Sequence, residues 1–126
     1  MKRVLIADDD SDLAAMIEAI LVERLRVTVD HVTNGALVLD QISLTQPDLV
    51  ILDVAMPGLN GIDVFDLLRG SAAFVDVPVL FLTAVPDRAE QAFARFGITD
   101  VMAKPFDSDA LVQRVTDLLA RRARVA

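Results

Sequence analysis

The sequence predicts a doubly wound α/β domain, a five-stranded parallel sheet with helices on both faces. Three observations predict it. Short, continuously apolar runs that stop abruptly at polar or turn residues recur along the chain, and such runs read as strands buried on both faces. Between them, apolar residues return at spacings of three and four, the period of a helix with one buried side. The two patterns alternate throughout, which implies parallel strands joined by right-handed crossovers.

The first strand is read over residues 3–7, where Val4-Leu5-Ile6-Ala7 stops at Asp8-Asp9-Asp10. A helix over 11–24 follows, with Leu13, Met16, Ile17, Ile20 and Leu21 on one face and Asp10 suited to its cap or first turn. The second strand covers 27–32 and holds His31, the only histidine; one histidine makes no zinc site, so it reads as structural. A helix over 35–45 leads through Pro47-Asp48 to a strand over 49–53, where Leu49-Val50-Ile51-Leu52 stops at Asp53. Met56-Pro57-Gly58 marks a turn before a helix over 60–70. The fourth strand, 78–82, stops at Thr83, and a helix over 87–96 carries the stripe Ala89, Ala92, Phe93 and Phe96. The fifth strand, 99–103, stops at Lys104-Pro105, where the residue before proline is held extended. The last helix, 107–122, has Leu111, Val115, Leu118 and Leu119 on its buried face. Its end, Arg121-Arg122-Ala123-Arg124, reads as a solvated terminus with cations where the helix dipole favours them. Leu37, Leu44 and Leu67 fall off the buried stripes and mark a candidate partner surface.

Parallel strands end at one edge of the sheet, and the carboxyl edge is where open α/β sheets bind ligands. Asp8, Asp9 and Asp53 all follow strands, so these acids are expected there together. Crowded carboxylates repel, and the cluster either holds protons or recruits a cation. Mg²⁺ suits it, being a hard ion that takes oxygen ligands and keeps several waters. Thr83 adds a hydroxyl donor and Lys104 an ammonium at the same edge.

With these residues in hand, the chain resembles the receiver domains of response regulators in two-component phosphorelay signalling. The resemblance rests on Val4-Leu5-Ile6-Ala7-Asp8-Asp9-Asp10, Pro47-Asp48-Leu49-Val50-Ile51-Leu52-Asp53, Met56-Pro57-Gly58-Leu59-Asn60-Gly61, Leu82-Thr83-Ala84 and Lys104-Pro105-Phe106, in order and at the expected spacings. It implies a flavodoxin-like sheet of strand order 2-1-3-4-5 and a single receiver domain over residues 1–126. It implies Asp53 as phosphoacceptor, with Mg²⁺ held by Asp8, Asp9, Asp53 and the backbone carbonyl of Ala55. Thr83 and Lys104 would meet the phosphoryl group, small Ala84 would leave room for the donor, and the Lys104–Pro105 peptide would be cis.

The phosphodonor implied is a histidine kinase or a histidine phosphotransfer protein. Phosphorylation would act through the face of the fourth helix, fifth strand and fifth helix, on a downstream protein target or through a homodimer. Two positions depart from the family pattern. Val101 stands three before the lysine, where many receivers carry an aromatic ring, so the usual ring rotation has no ring. Ala55 and Val85 cannot orient an attacking water through their side chains, which predicts a long-lived aspartyl phosphate.

Composition narrows the alternatives. A chain of 126 residues with 54% hydrophobic residues is one domain by length and can bury a core. Without cysteine there is neither disulfide nor thiolate chemistry. No apolar stretch approaches the ~20 residues of a membrane helix, there is no signal-peptide pattern, and a cytoplasmic location is expected. The net charge of -7 argues against direct nucleic-acid contact. A phosphatase of the haloacid dehalogenase type also uses an Asp nucleophile with Mg²⁺, but wants an acid two residues later, where this chain has Ala55. The other alternative is a receiver-like module that binds partners without phosphorylation. No turnover of an external substrate is expected, so the chain is not read as an enzyme.

Overall fold

The computed structural model describes residues 1–58, 60–84 and 100–125, with side chains to Arg121. Five parallel strands, β1 (Lys2–Ala7), β2 (Val27–Val32), β3 (Leu49–Asp53), β4 (Val79–Thr83) and β5 (Val101–Ala103), lie in the order β2-β1-β3-β4-β5. Helices α1 (Ser11–Arg24), α2 (Val38–Thr45) and α3 (Gly61–Arg69) and a C-terminal helix (Ser108–Val125) connect or cover them. The helix expected over 87–96, with its stripe, lies outside the described residues, as does Val85.

Period-two alternation in the strands builds two cores, one on each face of the sheet. Leu5, Val50, Leu52, Val79 and Phe81 point to one face, where Val38 and Ile42 of α2 and Val64, Phe65 and Leu68 of α3 cover them. Val4, Ile6, Leu49, Ile51, Leu80 and Leu82 point to the other, under Ile17 and Leu21 of α1 and Leu111, Val115, Leu118 and Leu119 of the C-terminal helix. Each such side chain, fully buried, contributes roughly 1.5–3 kcal/mol. The central strands carry unbroken apolar runs, over residues 4–7, 49–52 and 79–82, for this reason.

Three expectations need correction. Met16 is not on the buried face of α1: it is 47% exposed, and Ala14 is buried in its place. The helix expected over 35–45 is two pieces, a 3-10 turn at Gly35–Leu37 followed by α2. Asn34 explains the split, because its side chain caps Ala36 N–H and closes a tight turn first. The fifth strand is also shorter than read, starting at Val101. His31 is exposed on the edge strand β2, away from the acids. Leu37, Leu44 and Leu67 are exposed as their position off the stripes implied.

Candidate functional site

Sheet register brings the acids together. Ala7 of β1 pairs with Leu52 of β3, so the next residues, Asp8 just past β1 and Asp53 at the end of β3, lie at the same level. One carboxylate oxygen from each of Asp8, Asp9 and Asp53 lies within 4.8 Å of the others. Asp8 and Asp53 are buried, while Asp9 faces solvent. Asp10 stands apart from the trio in role: its side chain accepts from Leu13 N–H at 3.0 Å and caps α1.

The backbone holds these groups in place from several sides. Asp8 Oδ1 accepts from Asp10 N–H at 2.9 Å, and Asp53 Oδ1 from Ala55 N–H at 3.3 Å. Gly61 N–H donates to Val54 O at 2.8 Å, which seats the start of α3 on the backbone just after Asp53. A Cβ at position 61 would overlap Asp53 O and lie 3.0 Å from Val54 Cα, so this close approach requires glycine. Thr83 is buried at the end of β4, and its carbonyl accepts from Lys104 N–H at 2.8 Å. The Lys104–Pro105 peptide is cis.

Lys104 Nζ lies 3.0 Å from Asp8 Oδ2 and 3.5 Å from Asp53 Oδ2. Among the described residues it is the one basic side chain paired with the trio. The sequence reading set this lysine against Asp53; the structure adds a shorter bond to Asp8, which is fully buried and needs a partner more. Burial and the charge of Asp8 push the Asp53 carboxyl up to about 6. Lys104, the Ala55 N–H and Asp9 act more weakly on it, the first two downward and Asp9 upward. Burial would lower Lys104, yet its hydrogen bond to Asp8 and the two carboxylate charges outweigh that and raise its ammonium above the usual value.

The donor set fits a hard divalent cation. Three carboxylates converge, Asp9 open to solvent, and among the described residues Lys104 is the one ammonium paired with them. Burial first and the charge of Asp8 second raise the Asp53 carboxyl to about 6, a strain that a bound cation would relieve. All of Asp8, Asp9, Asp53, Thr83 and Lys104 fall at the carboxyl edge as the sequence implied. The glycines that let backbone crowd around Asp53 were present in the quoted Met56-Pro57-Gly58-Leu59-Asn60-Gly61 motif, but nothing in spacing alone revealed their contacts.

A parallel sheet of order β2-β1-β3-β4-β5 with helices on both faces is a doubly wound, flavodoxin-like α/β domain. The family model for the response regulator receiver domain matches residues 4–116, and the chain belongs to that family. It is 41% identical over 130 residues to the transcriptional regulatory protein PrrA of Mycobacterium leprae, covering 98% of this chain and 52% of that protein. It is 37% identical over 122 residues to the DNA-binding response regulator MtrA of Mycolicibacterium paratuberculosis, covering 95% of this chain and 52% of that protein. The chain thus spans about half the length of the curated relatives it matches. A crystal structure of a response regulator from Chloroflexus aurantiacus superposes with a TM-score of 0.87 at 36% identity, covering 94% of this chain and 98% of that one. Phosphorylation in two-component signalling is general to the family, and its receivers generally bind Mg²⁺ at such an aspartate cluster. Among the described residues, no helix is long and apolar enough to cross a membrane.

Proposed function

We propose that residues 1–126 act as one receiver unit in which Asp53 accepts a phosphoryl group from a histidine kinase or a histidine phosphotransfer protein. The observation that carries this reading is the buried Asp53 carboxylate, ringed by Asp8 and Asp9 within 4.8 Å and by Lys104 at 3.5 Å. Asp8, Asp9, Asp53 and the Ala55 carbonyl would hold Mg²⁺, which when bound neutralises charge on the transferring oxygens.

An ionised Asp53 oxygen attacks phosphorus, the P–O bond forms as the P–N bond to the donor imidazole breaks, and the imidazole leaves as the neutral ring after taking up a proton. Lys104 exchanges its carboxylate contact for one with the phosphoryl oxygens. The Thr83 hydroxyl donates to another of those oxygens. The phosphoryl group carries roughly -1.5 to -2 charges where the Asp53 carboxylate carried one, and drawing Thr83 and Lys104 toward it biases the domain toward the state that shields the added charge. The expected output face combines β5, the C-terminal helix and a fourth helix that lies outside the described residues.

Output passes to a partner protein, to a second copy, or to an effector in a longer chain of the kind the relatives have. The acidic balance of -7 keeps the receiver itself off nucleic acid. No external substrate is turned over, since Ala55 offers no acid to protonate a leaving group. Val101 packs against the core beside Phe81, so an aliphatic side chain fills the place where a ring rotates in other receivers.

Intact-protein mass spectrometry with a small-molecule phosphodonor tests the reading. One phosphoryl group should be added only when Mg²⁺ and Asp53 are both present, and Asp53→Ala should take none. No adduct on the wild type, where a known receiver reacts, would favour a partner-binding module that works without phosphorylation. In the same assay Ala55→Asn is expected to speed loss of the phosphoryl group several-fold by orienting water; an unchanged half-life removes Ala55 from the account of its persistence.

A further inference from the structure

We infer that the corner between β2 and α2, Asn34–Gly35, is a positioning element of the acid site that sets its affinity for a divalent cation. The inference rests on the proposed Mg²⁺ site and extends it to residues that no site motif contains. In the sheet, β1 separates β2 from β3. The corner nevertheless reaches across the end of β1 and bonds to the loop after Asp53: Gly35 N–H donates to Pro57 O at 2.9 Å.

The contact is interlocked. Gly58 has a φ of +88°, a backbone that disfavours any side chain, and a Cβ there would overlap Asn34 Oδ1 and lie 2.9 Å from Ala36 N. The Asn34 side chain occupies that space and accepts from Ala36 N–H at 2.8 Å, which fixes the corner's own turn. The same corner also grips the other half of the cluster. Asp8 N–H donates to Val32 O at 3.1 Å, at the end of β2 where the corner begins.

One short segment therefore braces both sides of the site, Asp8 through Val32 and the Ala55–Gly58 loop through Gly35 and Asn34. The loop is pinned at its start as well, where Val54 O accepts from Gly61 N–H at 2.8 Å. Ala55, whose carbonyl would face the cation, lies between the two pins. A cation that demands near-octahedral oxygen geometry is sensitive to small displacements of such a carbonyl. Asn34 and Gly35 act through the loop, touching neither the cation nor the phosphoryl group.

Calorimetric titration of Mg²⁺ into the metal-free wild type, Asn34→Ala, Asn34→Ser, Gly58→Ala and Val115→Ala tests this, with urea unfolding of each. Asn34→Ala and Gly58→Ala are expected to weaken Mg²⁺ binding about tenfold, the usual scale for groups that orient metal ligands. Asn34→Ser keeps a capping oxygen and should bind nearly as the wild type does. Val115→Ala, on the buried face of the C-terminal helix, should lose stability without losing affinity. Wild-type affinity in both Asn34→Ala and Gly58→Ala overturns the inference, as does an equal loss in Val115→Ala. Should Gly58→Ala fail to fold, the contrast between Asn34→Ala and Asn34→Ser decides. A wild type with no Mg²⁺ binding sensitive to Asp9→Asn would instead overturn the metal site itself, and this inference with it.

Discussion

The two edges of the sheet handle charge in opposite ways. At the amino edge acids and bases are matched. The Arg3 backbone N–H donates to Asp48 Oδ2 at 2.9 Å, while its guanidinium meets Asp30 at 3.2 Å and Thr45 O at 3.3 Å, tying β1 to β2, α2 and the start of β3. Asp100, before β5, is paired with Arg114 at 3.8 Å and Arg121 at 3.2 Å from the C-terminal helix. Arg69 donates to Val77 O at 2.9 Å and stacks 4.5 Å from the Phe65 ring centre. At the carboxyl edge three acids converge and, among the described residues, Lys104 alone pairs with them, with Asp8 and Asp53, while burial and the charge of Asp8 push Asp53 up to about 6. The contrast separates charge that holds the fold together from charge left unbalanced and available for a cation and a phosphoryl group.

Removing Lys104 should expose the imbalance most. Lys104→Ala is expected to slow phosphorylation by a small-molecule donor on the order of 100-fold, as loss of a preorganised electrostatic contact does; rates within a few-fold of wild type would make the lysine structural only. Next in size, Asp9→Asn should weaken Mg²⁺ binding more than about tenfold, measured by calorimetry, whereas Asp48→Asn at the other edge should leave it unchanged.

Stability gives the sharpest contrast of sign. The Asp53 value of about 6 lies above the ordinary 3.8, so its protonated form favours the fold fully below pH 3.8, and that contribution is lost as pH rises through about 6. In metal-free urea unfolding at pH 7, Asp53→Asn should therefore raise stability, on the order of 1–2 kcal/mol, with the gain vanishing near pH 4. Asp48→Ala should lower stability by about 1–2 kcal/mol, because it strips the partner from Arg3 N–H. Equal signs at the two edges would break the comparison. The smallest effect belongs to Arg121→Ala, whose exposed ion pair with Asp100 should contribute no more than about 0.5 kcal/mol and fade in salt.

Much of this was legible in the sequence. The strand over 49–53 has the bounds read from its apolar run, because a central strand buried on both faces is apolar up to the acid that ends it. The edge strand over 27–32 also has the bounds read, between its buried ends Val27 and Val32. Asp8, Asp9, Asp53, Thr83 and Lys104 were placed by the same logic, each being the residue where a parallel strand stops. Met16 misled because a flexible apolar side chain satisfies helical spacing at the rim as well as in the core, and Ala14 has too small a side chain to announce its burial. The 3-10 turn before α2 escaped notice because the local Asn34 cap on Ala36 leaves no mark on hydrophobic periodicity, and the Gly35 bond to Pro57 that accompanies it joins distant loops. The shorter bond from Lys104 to Asp8 was hidden for a similar reason, since the depth of each carboxylate depends on packing around the strand ends.

The central claim is that Asp53 is the group that takes the phosphoryl. Reductive trapping with borohydride after Mg²⁺-dependent phosphorylation, followed by peptide mapping, tests it most directly, because an aspartyl phosphate is converted to homoserine at its own position. The account predicts homoserine at position 53 and at no other aspartate, with none formed when Mg²⁺ is withheld. Homoserine at Asp8 or Asp9, or phosphoryl incorporation with unmodified Asp53, would contradict it.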